Sequence, residues 1–141
     1  MKIIVQQTEL LETLEVVGKA IANSPPLPIL SSILLTAQAD KLVLSATDLY
    51  LGIKSSISAS VQEPGIIALP GKEFKQIISG LDQSKISNEK KNENTIEIIS
   101  NKNVFTLQTH QVKEFPEFPT RPKENAFIST EVLASISNLI V

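Results

Sequence analysis

The sequence predicts an α+β domain built from a duplicated β-α-β-β-β unit. Two observations carry that expectation. Most apolar residues alternate with polar neighbours, and the alternation is broken twice by an amphipathic helical stretch that follows a short apolar strand. The chain also matches itself at a shift of 64 positions, where Ile3 meets Ile67, Val5 meets Leu69, Glu9 meets Glu73, Leu10 meets Phe74 and Leu14 meets Ile78. Self-similarity at a fixed offset implies two copies of one supersecondary unit that pack their apolar faces together.

Residues 2 to 6 read as a strand. Thr8 then stands as N-cap to a helix whose stripe is Leu10, Leu11, Leu14, Val17 and Ile21, with Glu9, Glu12, Glu15 and Lys19 on the wet side. Asn23-Ser24-Pro25-Pro26 ends it, because proline cannot continue a helix. Residues 29 to 37 are apolar and strand-like, and after an Ala39-Asp40 turn Leu42, Leu44 and Ala46 alternate with their neighbours. Leu49, Leu51, Ile53 and Ile57 continue that parity. Beyond the turn signal Glu63-Pro64-Gly65 the order restarts. Ile66 to Leu69 is a strand, residues 72 to 81 a helix with Phe74, Ile77, Ile78 and Leu81 on one side, and 85 to 90, 95 to 100 and 103 to 109 are three more strands. Ile96 and Ile98 point inward and Glu97 outward.

A second repetition appears near the end. Thr130-Glu131-Val132-Leu133-Ala134-Ser135-Ile136 resembles Thr8-Glu9-Leu10-Leu11-Glu12-Thr13-Leu14 at an offset of 122, again behind a strand. The reading is a first domain over residues 1 to 122 and the start of a second, truncated one over 123 to 141. The proline-rich stretch from Phe115 to Pro122 serves as a semi-rigid linker between them.

The composition excludes several classes of function. With no cysteine among 141 residues, disulfides, thiolate catalysis and Cys-ligated zinc are out, and a reducing cytoplasm fits. No apolar run approaches the roughly 20 residues of a membrane span, and Ile3 to Val5 is too short for a signal peptide. A net charge of -2 does not suit a domain that grips nucleic acid by charge alone. His110 is the single histidine and reads as a solvated loop residue without a second metal ligand. Asp48 has turn formation as its default use, and Glu9, Glu12 and Glu15 read as solubilising charges. No glycine-rich phosphate loop, metal site, cofactor site or catalytic residue is expected.

Two surfaces read as interaction candidates. The last strand places Phe105 and Leu107 on one face, either at a sheet edge open to another chain or turned to the domain's own core. Lys72, Lys75, Gln76 and Ser79 form a modestly basic strip on the second helix, for which solvation is the plain alternative.

The stretches LPILSSILL (27 to 35), LVLSATDLYLGI (42 to 53), EPGIIALPGKEFKQIISGL (63 to 81), FTLQT (105 to 109) and EFPEFP (114 to 119) resemble the first domain of the bacterial DNA polymerase III beta subunit, the replicative sliding clamp. That resemblance implies the DNA clamp fold, with two helices on one side of curved antiparallel sheets. It also implies a head-to-tail ring dimer that encircles duplex DNA without sequence preference and confers processivity on the polymerase. On the same grounds Phe105 and Leu107 fall at the subunit contact, flanked by Glu73 and Ile77, and Lys72 faces DNA with Lys75 and Lys19 as further candidates. Ser24 stands where the family usually offers the channel a basic residue, and Glu12 also replaces a common basic position. Polymerase and loader subunits would bind through domains absent from this chain. Two rival readings remain: a free-standing protein-interaction module with no DNA role, and an enzyme working through Asp48 and His110. A reading frame continuing in two further copies of the pattern separates the clamp from the module; turnover lost in Asp48→Asn or His110→Ala would establish the enzyme.

Overall fold

The computed structural model describes residues 1–21, 28–82 and 84–116. Strand β1 (Lys2–Gln6) runs straight into helix α1 (Gln7–Val17), which closes with a 3₁₀ turn over Gly18–Ala20. A second 3₁₀ turn, Pro28–Ser31, leads into the meander β2 (Ser32–Gln38), β3 (Lys41–Thr47) and β4 (Gly52–Ser58). A short β5 (Ser60–Glu63) follows, and then the order repeats as β6 (Gly65–Pro70), α2 (Gly71–Ser79), β7 (Lys85–Asn92), β8 (Thr95–Ser100) and β9 (Asn103–Gln108). The duplicated unit is therefore present, with β5 as an addition that the sequence pattern did not reveal. A lone apolar residue, Val61, sits between polar neighbours there, and that is too little alternation to read.

Several boundaries differ from expectation for local reasons. Thr8 lies inside α1 and caps nothing; the N-cap position is the extended Gln6, without a side-chain bond. Regular α1 ends at Val17, where glycine follows, and Ile21 is extended instead of helical. Residues 29 to 31 form a 3₁₀ turn, not a strand, and Leu81 lies past the end of α2. Leu49 and Leu51 belong to no strand: Leu49 has φ 82 in a turn, and both side chains are exposed. The break at residues 23 to 26, the linker beyond Pro116 and the expected helix after Thr130 fall outside the described residues.

The sheets exchange strands between the two halves. One has the order β5-β1-β7-β8-β9 and the other β4-β3-β2-β6, so each half's opening strand joins the meander of the other half. All these pairings are antiparallel. The registers correspond as well. On β1, Ile3 lies opposite Asn88 and Val5 opposite Ile86, while on β6, Ile67 lies opposite Leu35 and Leu69 opposite Ile33.

The helices run antiparallel against one another. Gln7 at the start of α1 donates its Nε2 to the Ile78 carbonyl near the end of α2 at 2.9 Å, a second donor beside the Leu81 backbone N–H for a carbonyl at the helix end. At the opposite end Ile21 lies over Gly71, where an added Cβ would run into Ile21 Cδ1 and stand 3.1 Å from Ile33 Cγ1. The close approach explains a glycine at the position that mirrors Gln7. Leu10, Leu14, Val17, Phe74 and Ile78 bury fully in one core with the inward rows of both sheets, among them Ile33, Leu35, Leu42, Leu44, Ile96 and Ile98. Of the five pairs named for the shift of 64, four are buried in both halves, and the fifth, Glu9 and Glu73, faces solvent.

One core position breaks the match. Asn88, opposite Ile3, is fully buried where the residue opposite Ile67 is Leu35, and neither Oδ1 nor Nδ2 has a hydrogen-bond partner among the described residues. A buried amide left unpaired costs roughly 1–3 kcal/mol. Asn88→Leu is therefore expected to raise stability by about that amount, read as a higher urea midpoint with an unchanged slope. A lower midpoint would show that the amide is serving the fold.

Candidate functional site

The two helices present one exposed face. On α1 it carries Glu9, Glu12, Glu15 and the apolar Val16, with Lys19 just beyond; on α2 it carries Lys72, Glu73, Gln76 and Ser79. Lys75 and Ile77 are half-buried. Because the helices are antiparallel, Lys19 and Lys72 come to the same end of the pair, the end where Ile21 meets Gly71. Glu9 and Glu12 gather toward the other. The face is thus polarised along its length and not uniformly basic. Ser24 falls outside the described residues.

The second candidate surface is β9. Among the described residues it forms an outer strand of the five-stranded sheet and pairs only with β8, with Phe105 opposite Ile98 and Leu107 opposite Ile96. Both side chains are half-buried and pack on the main core, so the two readings of that strand meet in one place: these residues touch the core and also stand on the outermost described strand of the sheet. The other face shows Val104, Thr106 and Gln108 to solvent, Val104 with 56% of its surface exposed. From Asn103 to Gln108 no residue is charged. Its counterpart edge β4 carries Lys54, the kind of charge by which proteins discourage edge pairing. Glu73 and Ile77 lie on a helix that packs chiefly on α1, and after it on β2 and β6, strands of the other sheet.

His110 is half-buried and held in place. Its backbone N–H donates to the Ala68 carbonyl at 2.8 Å and its Nδ1 meets the hydroxyl of the fully buried Ser32. Downstream, Phe115 buries with Ile29, Leu30 and Ala68 in a small second cluster on the outer face of the four-stranded sheet. The departing chain is therefore stapled across that sheet. Asp48 lies far along the chain from His110 and keeps the expected turn role: its Oδ1 accepts from the backbone of Tyr50 at 2.9 Å and Leu51 at 2.7 Å.

Those bonds, the one from Leu51 first, hold the Asp48 carboxyl below its ordinary value of 3.8. A depressed folded-state value means that the stabilisation is complete above the unfolded value and fades as pH falls through the folded one. The side-chain carboxyl is expected to titrate below 3.8 in a carbon-detected NMR titration. A midpoint at or above that value refutes the account. Among the described residues there is no group of three or more His, Cys, Asp or Glu placed to hold a metal ion, and no helix long and apolar enough to cross a membrane.

A duplicated strand-helix-meander unit, with exchanged opening strands and a paired-helix face, is the fold of bacterial beta clamps. The chain superposes on the Helicobacter pylori beta clamp bound to a DNA ligase peptide with a TM-score of 0.82 and 35% identity, covering 86% of this chain and 34% of that one. It matches Caulobacter crescentus pol III beta with a TM-score of 0.80 and 30% identity, over 85% of this chain and 32% of that one. Residues 1–119 match the family described as DNA polymerase III beta subunit, N-terminal domain. The chain belongs to that family. A beta sliding clamp of Synechocystis is 36% identical over 128 residues, 85% of this chain and 33% of its own length, and one of Helicobacter pylori is 38% identical over 120 residues, 84% and 32%. The chain thus spans about a third of the length of these relatives.

Proposed function

We propose that this chain supplies the first domain of a sliding clamp, a non-catalytic ring that encircles duplex DNA and keeps a replicative polymerase on its template. Domain one runs over residues 1 to 122, and residues 123 to 141 begin the next. The observation that carries the reading is the uncharged strand β9, outermost in its sheet among the described residues, on a domain of this family: an open edge of alternating side chains is what a head-to-tail neighbour needs to extend a sheet, and heterologous contacts close into rings when the rotation allows. Phe105 and Leu107 would seat the contact, and Glu73 and Ile77 would flank it from α2.

Topology also accounts for the charge. An enclosing ring retains DNA without many phosphate contacts, and an affinity built on many ion pairs would depend steeply on salt. The polarised helix face fits that economy, with Lys72, Lys75, Lys19 and the segment around Ser24 as the DNA-facing positions. Polymerase and loader subunits would engage domains beyond this chain, in the cytoplasm, with no cofactor.

The test uses the complete reading frame. Phe105→Arg places a charge in the contact and is expected to convert a dimer in sedimentation velocity to monomers, and to abolish retention on closed circular DNA. An unchanged dimer eliminates the edge assignment. A frame without two further copies of the pattern eliminates the ring.

A further inference from the structure

Beyond the ring, we propose that the cleft along the outer edge of β6 is a docking site for a short, extended, acidic peptide bearing an apolar side chain. The cleft has a volume of about 330 Å³ and is bordered by Ile66, Val112, Lys90, Lys113, Glu93 and His110. It exists because the described residues cover β6 only partly on that side. The Ala68 carbonyl accepts from His110 in an isolated antiparallel bridge, so backbone groups of Ala68 point away from β2. By the alternation of a strand those of Ile66, two residues earlier, turn the same way, and no bond from them outside the sheet is present among the described residues. The bridge at His110 begins a strand pairing that the described residues do not continue.

The chemistry of the walls selects the occupant. Ile66 and Val112 expose 48% and 36% of their surfaces, an apolar seat for one or two side chains. Of the charged residues that border the cleft, Lys90 and Lys113 face one acid, Glu93, with Glu114 next to Lys113 outside it, and neither lysine forms an ion pair among the described residues. The neighbouring acids Glu89 and Glu97 are engaged with Lys91, at 3.3 and 3.7 Å. Two cations are too few to hold a nucleic acid, whereas backbone groups at an open edge, an apolar seat and a pair of lysines match an added strand of alternating acidic and apolar residues. The reading requires no ring and stands or falls separately from it.

The test titrates the nitrogen-15-labelled protein with the acetylated, amidated peptide Asp-Leu-Asp-Leu-Asp. Saturable shifts are expected in the amides of Ile66, Lys90, His110, Val112 and Lys113. The K90E/K113E double variant, altered only at exposed side chains, should keep its amide spectrum elsewhere and lose about tenfold or more in affinity. Methylating the backbone nitrogen of the central Asp or of its neighbouring leucines, one at a time, should identify at least one position where binding is lost. The proposal is overturned by any of four results: no shifts, shifts centred on another surface, equal binding by the folded double variant, or equal binding of Lys-Leu-Lys-Leu-Lys.

Discussion

Phe74→Ala is expected to destabilise the domain by about 3–5 kcal/mol, the range for deleting a fully buried aromatic ring. Phe74 is among the largest side chains with no exposed surface, and it projects from α2 into the one core shared by both sheets and both helices. Set against a total of roughly 5–15 kcal/mol for a whole domain, the variant should be partly unfolded at 37 °C. Urea unfolding followed by circular dichroism measures the loss, and a value under about 1 kcal/mol would place Phe74 outside the packed centre. The mirror substitution Leu10→Ala should cost about 2–5 kcal/mol for the same reason.

Cutting the chain between its two halves should have a still larger effect. A peptide of residues 1 to 63 keeps β2, β3 and β4 but loses β6, and its own β1 loses β7; residues 64 to 141 suffer the reciprocal loss. Neither piece retains a complete sheet, and about 60 residues with half a core are marginal even when intact. Each half is expected to show no cooperative thermal transition alone. Mixed in equal amounts, the two should recover sheet signal and a single transition. A cooperative transition in either isolated half would contradict the exchange.

The sequence disclosed the units better than their assembly. Periodicity located β1, β3, β6, β7, β8, β9 and both helices because each has a clean inward row, such as Leu42, Leu44 and Ala46 or Ile96 and Ile98. The partner of each strand was not legible. Register and sheet membership depend on contacts between residues some 80 positions apart, as for Ile3 and Asn88, and alternation says only which side is wet. Leu49 and Leu51 misled for the opposite reason: they keep the parity of a strand, yet Asp48 captures the backbone N–H groups of Tyr50 and Leu51 and bends the chain into a turn.

The candidate site divides along the same line. That β9 would end the second meander followed from its order, and its place at an edge is a matter of topology that the pattern left open. The polarity of the helix face was hidden too, because it depends on α1 and α2 running in opposite directions. His110 carried no signal for its bond to Ser32, a serine 78 residues away that looks like any other strand polar residue. Such pairs are made by tertiary placement and leave no spacing to read.

The traded opening strands have a consequence for ancestry. A single unit, before its gene doubled, would have had a three-stranded meander with a vacant side and a leading strand with nowhere to lie. It could have been stable only by interlocking with an identical twin, each lending the other its first strand. On that history, fusion merely joined two molecules already entwined, and the later divergence of Leu35 and Asn88 became possible only once the twins no longer had to be the same.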